Sequence, residues 1–421
     1  MSTSSALLKR ISPQEALSRA TRPLPPIPSE VPTILEDIRT RGADAVFEWA
    51  RRLDGFSGDA FEVPRNRMIA AVEALDPGLR AHLEEAIRRV KAFSEVQKTC
   101  FRDFEILQEG VCLGQRIVPM QRAACYAPGG RYPLPSSVIM GVVPARVAGV
   151  EEVIVLSPRL HPITLAAAAL AGADRVFDLG GVQGIAAAAW GLAGVPRVDL
   201  VVGPGNRYVT GAKRLLYGDV GIEFPAGPSE LLVIADGTAR PAWIAADLLG
   251  QAEHDPDALP MLISFEETLI EAVNEELRRQ LAELPPDTPA RESLANGFAV
   301  VVTDEAEAMV LAEALAPEHL ELQGPRAEAL AAQLRTYGSL FVGEGTAEVF
   351  GDYGSGTNHI LPTGGAARFT GGVFVGTFLK TLTWQRITHE GQRQQAFQAI
   401  ALAEAEGLAA HAASARMRLS I

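Results

Sequence analysis

Short apolar segments alternate with longer segments of helical periodicity from residue 150 onward. The apolar segments are rich in β-branched residues and include EEVIVLS, RVFDLG, VDLVVG, LLVIAD, PMLISF, FAVVVT, LELQ and SLFVG. Between them lie helical segments such as ITLAAAALAGA, WIAADLLGQAEH and ETLIEAVNEELRRQL. Strands that are apolar on both faces and separated by helices are typical of βαβ units, so the pattern predicts covered parallel sheets. The length allows two sheets, and AGPSE interrupts the alternation near Ala226–Ser229, where we expect the break between them.

The first third of the chain shows a different pattern, which predicts helices followed by a pair of strands. Apolar residues spaced three and four apart predict a helix over Pro77–Gln97. The segments FEILQEG and VCLGQRIVPMQRAACY predict two strands with a hairpin or bulge at Gly110. Apolar residues between positions 7 and 17 predict a short docking helix, and this end lacks the continuous apolar segment of a secretory signal.

From Thr383 onward, the sequence pattern predicts a tail of one or two helices with Gln-rich and Ala-rich faces. We expect these helices to have no strand partner. A tail of this kind is typical of a segment that docks on something else, such as another subunit.

Charge and cysteine content exclude several classes of protein. Among 421 residues, 51 acids outnumber 38 bases, and the net charge of −13 would repel nucleic acid or an anionic membrane. Three cysteines without a CxxC pair exclude a disulfide framework and favour a reducing cytoplasm. The longest run of small apolar residues, Ile163–Ala173, is shorter than the roughly 20 residues that a membrane-spanning helix needs.

Glycine-rich turns after predicted strands are candidates for a dinucleotide site. No G-x-G-x-x-G fingerprint follows any strand, but Asp178-Leu-Gly-Gly-Val-Gln-Gly and Val202-Gly-Pro-Gly-Asn each lead from a strand into a helix. Such turns let a phosphate reach the N–H groups at the start of a helix, although tight helix–sheet packing also explains them. The loop that begins at Tyr126, YAPGGRYP, suits a ligand wall, and ordinary turn chemistry explains it equally well.

Histidines and acids in polar surroundings are candidates for a metal site. Gln251 and His254 share one helix face, although a solvated helix end is the plainer explanation for that pair. Asp352 can supply a carboxylate oxygen, and His359 follows seven residues later. Neither spacing is that of a structural zinc site, so these segments would form a catalytic-type site with open positions.

Two further pairs could carry chemistry. Glu318 and His319 are a suitable acid/base pair if a turn makes them face one substrate, and surface exposure is the alternative. Glu406 and His411 lie about 140° apart on an ideal helix, so only a break at Gly407 would bring them together. The thiol of Cys125, next to an apolar strand, is expected to be buried rather than nucleophilic.

Taken together, these segments resemble the histidinol dehydrogenase family over nearly the whole chain. The matching segments are YAPGGRYPLPSSVIM, GGVQGIAA, VDLVVGPGNRYVTGAKR, PAGPSELLVIAD, AADLLGQAEHDPD, LAPEHLELQ, GDYGSGTNHILPT and EGLAAHAASARMR. The resemblance implies an α/β fold of two incomplete Rossmann-like parallel-sheet domains, with a short N-terminal helical segment and a helical tail. It implies a docking helix over residues 1–16, a catalytic domain of residues 17–121 and 229–373, an NAD-binding domain of residues 122–228 and a tail of residues 374–421.

The resemblance also implies the chemistry, which is oxidation of L-histidinol through the aldehyde to L-histidine by two NAD molecules and one water. It implies one zinc ion per subunit, held by Gln251, His254, Asp352 and His411. Because His411 lies in the tail, the resemblance implies a cytoplasmic homodimer whose tails complete each other's sites. It implies NAD near Tyr126, Gln183 and Asn206. The implied substrate contacts are Ser229, Gln251, His254, His319, Asp352, His359, Glu406 and His411, with Glu318 and His319 as the catalytic pair.

Two segments depart from the pattern that we expect of biosynthetic members of the family. GGAARFTGGVFVGTFLKTLTWQRI follows NHILPT, and RYPL follows APGG. In these two segments the chain resembles family relatives that oxidise other diols, including sulfonated ones. Another hydroxyl compound is therefore the alternative substrate. A non-catalytic α/β ligand-binding protein is the remaining alternative, against which the complete set of candidate residues argues.

Overall fold

The computed structural model describes residues 7–21, 24–129 and 133–419, and its N-terminal region is mostly helical. The helix predicted over Pro77–Gln97 and the predicted hairpin are confirmed. Pro77 begins the helix, and the Asp76 carboxylate accepts the N–H groups of Gly78 and Leu79. The elements of this region are β1 (Lys9–Arg10), α1 (Pro13–Ala20), α2 (Glu30–Arg41), α3 (Ala43–Asp54), α4 (Arg65–Glu73), α5 (Pro77–Lys98), β2 (Phe104–Gln108) and β3 (Val111–Pro119).

A five-stranded parallel sheet, sheet B, follows. Its strands lie in the order β6-β5-β4-β7-β8, so the order reverses between β4 and β7. This is the order of a doubly wound dinucleotide-binding sheet without its sixth strand, and ligands of such sheets bind where the order reverses. The elements are β4 (Arg122–Tyr126), α6 (Pro135–Ala148), β5 (Glu152–Leu156), α7 (Pro162–Ala171), β6 (Arg175–Phe177), α8 (Gly181–Trp190), β7 (Leu200–Val202), α9 (Arg207–Leu216) and β8 (Gly221–Ile222).

A second parallel sheet, sheet A, begins just after the break that was predicted near Ala226–Ser229. Its strands lie in the order β1-β11-β10-β9-β12-β13. Leu231 and Val233 pack with α10 and α11 on one face, whereas Leu232 and Ile234 pack with α13 on the other. The elements are β9 (Glu230–Ala235), α10 (Pro241–Ala252), β10 (Leu259–Ser264), α11 (Glu267–Leu281), α12 (Ala290–Ser293), β11 (Phe298–Val301), α13 (Glu305–Leu315), β12 (His319–Gln323), α14 (Pro325–Glu328), β13 (Ser339–Val342) and α15 (Glu348–Tyr353).

The tail consists of β14 (Leu379–Ile387), α16 (His389–Ala405) and α17 (Ala409–Arg416). The prediction that the tail has no strand partner is therefore wrong, because β14 pairs antiparallel with β3 along its whole length. The hairpin of β2 and β3 leaves one edge of β3 open, and the alternating residues of TLTWQRI fit that edge. The ring of Trp384 occupies the space above Gly114, where any larger residue would collide with it. We name the sheet of β14, β3 and β2 sheet C.

The N-terminal docking helix is also displaced from its predicted position. Residues 1–6 lie outside the described residues, and Lys9–Arg10 form a strand that pairs parallel with β11. The buried side chain of Leu8 and the bond from its N–H to Asn274 Oδ1, 2.9 Å long, hold this strand in place. The helix begins only at Pro13, because Ser12 caps it through the N–H of Glu15.

The two parallel sheets with their flanking helices, together with the helical tail, confirm the predicted α/β class. Each sheet has its own hydrophobic clusters on both faces. No helix among the described residues is both long enough and apolar enough to cross a membrane.

Candidate active site

The amino edge of sheet A brings Glu318 and His319 next to Glu230. Helix α13 ends at Ala316, whose left-handed conformation (φ 46°) turns the chain before β12. The first residues of β12 and β9 then lie side by side, because these strands are hydrogen-bonded neighbours. The turn that lets the side chains of Glu318 and His319 face the same site is therefore present. It lies at Ala316, one residue before Pro317, where the sequence predicts it.

The backbone of Glu230 orients both catalytic candidates. Its N–H donates to Glu318 Oε2 at 2.9 Å, and its carbonyl oxygen lies 3.0 Å from His319 Nδ1. Because a carbonyl oxygen can only accept, Nδ1 carries the proton and Nε2 has the free electron pair. His319 is only 3% exposed, and burial lowers its pKa to about 4. The ring is therefore neutral near pH 7 and can accept a proton at Nε2.

The Glu318 carboxyl group is buried close to this ring. Its Oε2 lies 3.8 Å from His319 Nδ1. Burial raises the pKa of Glu318 well above its usual range, and the neighbouring carboxylates of Glu230, Asp352 and Glu348 act in the same direction. A carboxylate with a raised pKa is a stronger proton acceptor than an exposed carboxylate.

Asp352 lies between two histidines. It is in α15, and its Oδ2 is 3.9 Å from Nε2 of His254, which follows the end of α10. His359 Nδ1 donates to the carbonyl oxygen of Asp352 at 3.0 Å and lies 3.5 Å from Oδ1. Three of the predicted site residues therefore meet around one carboxylate.

Several buried polar atoms at this edge have no hydrogen-bond partner among the described residues. Both amide atoms of Gln251, in the last turn of α10, are unpartnered although the residue is fully buried. His319 Nε2 and both Glu348 oxygens are unpartnered as well, and Glu348 Oε1 lies 3.5 Å from His319 Nε2. Such atoms are rare in native proteins and mark places where a water, an ion or a ligand belongs.

The donor set fits a divalent metal ion. His319, Glu348 and Asp352 offer ligand atoms that all lie within 4.8 Å of one another, and of these three only Asp352 is a predicted zinc ligand, whereas His319 is the predicted base. Imidazole nitrogen together with carboxylate oxygen is a common set for zinc, and the unpartnered Gln251 amide supplies another oxygen. Burial raises the pKa of Glu348 to about 9, as expected for a buried acid when no cation is close.

The remaining predicted residues lie elsewhere. Ser229 is half-buried and directly precedes β9, so it also lies at the amino edge of sheet A. Glu406 and His411 are exposed on the tail, and neither makes a hydrogen bond or ion pair with the site within the described part of the chain. Gly407 does break the helix between them, with φ 76°.

The three predicted NAD residues lie at the carboxyl edge of sheet B. Tyr126 ends β4, and its hydroxyl accepts the N–H of Gly181 at 3.3 Å. Burial raises the pKa of Tyr126 to about 12, so the hydroxyl keeps its proton. Gln183 donates to Asp54 Oδ2 at 2.7 Å, while its own Oε1 has no partner in the described ranges of the chain. Asn206 is exposed and caps α9 through two N–H groups.

The thiol next to Tyr126 is inert. Cys125 is buried as predicted, with 1% of its surface exposed. Burial raises the pKa of the thiol, so it stays protonated.

Three residues of these two regions were missed by the sequence analysis. Glu230 opens β9 just as Glu318 directly precedes β12, so an acid at the start of an apolar strand was the available signal. Glu348 lies four residues before Asp352 and therefore shares its side of the helix. Asp54 ends α3 and gave no signal, because only the fold brings it to Gln183.

Comparisons with known proteins confirm the resemblance to the histidinol dehydrogenase family. The family model of histidinol dehydrogenase matches residues 17–419. A histidinol dehydrogenase from Thermus thermophilus is 46% identical over 395 residues, which cover 94% of this chain and 95% of the relative. A histidinol dehydrogenase homolog from Ruegeria pomeroyi is 41% identical over 410 residues, which cover 94% of each chain.

Among solved structures, the histidinol dehydrogenase from Elizabethkingia anophelis superimposes with a TM-score of 0.92. The two sequences are 32% identical, and the match covers 99% of both chains. The match therefore includes the N-terminal region, both parallel sheets and the tail. On this evidence, the chain belongs to the histidinol dehydrogenase family and is an oxidoreductase that acts on a CH–OH group.

Proposed function

We propose that the protein oxidises L-histidinol to L-histidine through histidinal, the last steps of histidine biosynthesis. The observation that carries this proposal is the group of buried, unpartnered polar atoms at the amino edge of sheet A, from Gln251, His319 and Glu348. Oxidation of an alcohol by NAD needs a base for the hydroxyl proton, and metal ligands next to that base can orient an amino alcohol. Family membership supports the same substrate.

His319 is the proposed base. Its Nδ1 is fixed by the carbonyl oxygen of Glu230, so Nε2 takes the hydroxyl proton as the carbon is oxidised. Glu318 then takes a proton from water, which adds to the aldehyde to form the hydrate. As the hydrate forms, His319 gives its first proton to the former carbonyl oxygen and becomes neutral, and Glu318 releases its proton to solvent. His319 can then take a hydroxyl proton again as the hydrate is oxidised to the acid. Both residues are buried, so the aldehyde is held away from bulk water between the steps.

We propose Gln251, His254, Asp352 and His411 as the zinc ligands, with His411 contributed by a second copy of the chain. Bound zinc would supply a Lewis acid that anchors the amino and imidazole nitrogens of the substrate. The chain's part is to orient these ligands, which it does by burying Gln251 and placing Asp352 between His254 and His359. The proposed substrate contacts are Ser229, Gln251, His254, His319, Asp352, His359, Glu406 and His411.

We assign the NAD site to the carboxyl edge of sheet B. Tyr126, Gln183 and Asn206 lie there, where ligands of doubly wound sheets usually bind. Bound NAD would accept the hydride in each of the two oxidations. Residues 122–228 form this domain in our proposal, and residues 17–121 with 229–373 form the catalytic one.

The proposed assembly is a homodimer in which residues 374–421 of each copy reach the other copy's site. The proposed substrate contact Glu406 and the proposed zinc ligand His411 are exposed on the tail, together with large apolar residues such as Phe397 and Met417. An exposed apolar surface of this kind is typical of a subunit interface. The free cysteines at positions 100, 112 and 125 support a cytoplasmic location.

Stoichiometry and two variants test the proposal. Purified protein with zinc, NAD and histidinol should form two NADH per histidinol. His319→Ala should lower turnover about 10²- to 10⁴-fold with unchanged zinc content, because general acid–base catalysis contributes that much. Glu318→Gln should slow aldehyde oxidation more than alcohol oxidation, because only the aldehyde step needs activated water.

A sulfonated diol is the control substrate. NADH formation from the diol but not from histidinol would overturn the proposed substrate. Loss of zinc from His319→Ala would overturn its assignment as base, and equal slowing of both steps in Glu318→Gln would overturn the water-activating role. Full activity after removal of all metal with a strong chelator would overturn the metal site.

A further inference from the structure

Three separate elements carry the proposed catalytic pair and the ligands of this chain. Glu318 and His319 lie at the start of β12, Gln251 lies at the end of α10 and Asp352 lies in α15. Strand pairing at the amino edge of sheet A does not connect α10 and α15 to β12, because the two helices are not part of the sheet. Something must therefore fix α10 and α15 against β12.

The face of β12 toward α10 is polar along its whole length. Side chains alternate along a strand, so His319, Glu321 and Gln323 share one face while Leu320 and Leu322 pack against the other cluster. Glu321 is 1% exposed and Gln323 is 2% exposed. Buried polar side chains inside a parallel sheet need partners. Glu321 has one on α15 and Gln323 has one on α10.

Hydrogen bonds connect the three elements through Glu321. Its Oε1 accepts the N–H of Glu348 at 2.8 Å, and its Oε2 accepts from Gln323 Nε2 at 2.8 Å. The same Gln323 nitrogen donates to Asp247 Oδ2 at 3.1 Å, and Asp247 is in α10. We name Asp247, Glu321 and Gln323 the buried spine.

The ends of the spine lie one helical turn from the metal ligands. Glu348 is the first residue of α15, and Ala347 before it has no side chain that could cap the helix, so Glu321 caps it from β12. Asp352 follows four residues later. On α10, Asp247 and Gln251 are likewise four residues apart and share one face.

We propose that Glu321 is a positioning residue for the metal, because it fixes α15 directly, and α10 through Gln323 and Asp247, at the separation that Asp352 and Gln251 require. The inference rests on the proposed metal site and adds a residue that touches neither metal nor substrate. It follows that loss of the Glu321 side chain weakens metal binding even when the protein stays folded.

Zinc titration of the metal-depleted full-length protein tests this inference. Glu321→Leu removes both acceptor oxygens, and we expect the zinc Kd to rise about 10- to 100-fold, as is usual for groups that orient metal ligands. Glu321→Gln keeps an oxygen for the N–H of Glu348 and should stay within about threefold of the original Kd. With cobalt as the probe, the absorption spectrum should change in Glu321→Leu and not in Glu321→Gln.

Leu322→Ala is the matched control, because it opens a cavity on the same strand but on the opposite face. It should lower the melting temperature and leave the zinc Kd within about twofold of the original. If Glu321→Leu does not fold, Asp247→Leu replaces it, since it breaks only the link to α10 and should still raise the Kd.

Three results would contradict this inference. An unchanged Kd in a folded Glu321→Leu or Asp247→Leu protein would overturn it, as would equal weakening in Leu322→Ala. If Glu321→Gln weakened zinc as much as Glu321→Leu, the cap on α15 would not be the cause. A parent protein that binds no zinc would instead overturn the proposed function itself, so the two failures are distinguishable.

Discussion

Apart from the additional edge strand β1 of sheet A, sheets A and B have the same strand order but present their candidate ligand sites at opposite edges. In each, the order reverses next to the first strand of the unit, between β4 and β7 in sheet B and between β9 and β12 in sheet A. Ligands of such sheets usually bind at the carboxyl edge of this reversal. The NAD candidates of sheet B lie there, whereas the catalytic candidates of sheet A lie at the amino edge.

A carboxylate of the chain itself accounts for the difference in sheet A. Asp236 follows β9 and accepts the N–H groups of Thr238 at 2.9 Å and Arg326 at 2.7 Å. These backbone donors lie at the carboxyl edge, where a bound anion would otherwise need them. Sheet B has Ala127 at the equivalent place after β4, so the position that Asp236 fills in sheet A carries no side-chain oxygen in sheet B.

Glycines after the fourth strand show the same contrast. A Cβ on Gly203, after β7, would lie 2.1 Å from the carbonyl oxygen of Tyr126. A Cβ on Gly324, after β12, would lie 2.4 Å from Oδ1 of Asp236. At these two equivalent positions, the nearest atom is a backbone oxygen in sheet B and a side-chain oxygen in sheet A. Two sheets with one strand order can therefore differ at their carboxyl edges, so strand order alone does not decide where a ligand binds.

The largest expected effect concerns the buried ion pair next to Gly203, which stabilises the carboxyl edge of sheet B between β4 and β7. Lys213 Nζ lies 2.5 Å from Glu223 Oε1 and donates to the carbonyl oxygen of Gly203, and both side chains are buried. Lys213→Met leaves the Glu223 carboxylate buried without its cation. We expect the free energy of unfolding to fall by about 3–5 kcal/mol, measured by denaturant unfolding, with a weaker NAD affinity.

Arg122→Met is the matched control, because Arg122 pairs with Glu152 at 2.8 Å but is 38% exposed at its side chain. Exposed pairs contribute about 0–1 kcal/mol, so this variant should be nearly as stable as the parent. Equal losses in the free energy of unfolding of the two variants would show that the buried pair does not stabilise the carboxyl edge of sheet B.

The second prediction compares the two glycines. Gly203→Ala places a methyl group against fixed backbone and at φ 123°, so we expect a loss of about 2–4 kcal/mol in the free energy of unfolding and a much higher Kd for NAD. Gly324→Ala is also at a positive φ, 94°, but its methyl group meets the carboxyl end of the Asp236 side chain instead of backbone, so its loss should be smaller and NAD binding should be unchanged. Calorimetric unfolding and NAD titration measure both.

A double variant sharpens the comparison. Asp236→Ala makes room for the new methyl group, so the combined cost of Asp236→Ala and Gly324→Ala should be less than the sum of the single costs. Additive costs would mean that Asp236 does not close the edge of sheet A. Weaker NAD binding in Gly324→Ala would mean that the two edges are not independent.

The sequence predicts the parts of the molecule that depend on local pattern. The β-branched segments and the helices between them are where apolar alternation places them, and Glu318, His319, Asp352 and His359 do converge. It does not predict β14, because an edge strand is selected by the open edge of β3 and not by its own polarity. Glu321 and Asp54 were missed for the same reason, since their partners lie far away in the chain.

The smallest expected effect is a pH dependence at Asp236. Burial alone would raise the pKa of this carboxyl, but the hydrogen bonds from Thr238 and from backbone N–H groups lower it below its usual value. A lowered pKa in the folded state adds stability above the unfolded pKa of about 3.9, and that stability is lost as the pH falls through the pKa of the folded protein.

The variant Asp236→Asn tests this pH dependence. Its free energy of unfolding should be about 1–3 kcal/mol lower than that of the parent at pH 7, and this difference should narrow below about pH 4. Urea unfolding from pH 7 down to pH 3 measures it, and a constant gap would show that the charge of Asp236 does not matter. Turnover should be unchanged at pH 7, because the amino edge of sheet A carries the chemistry and Asp236 lies at the opposite edge.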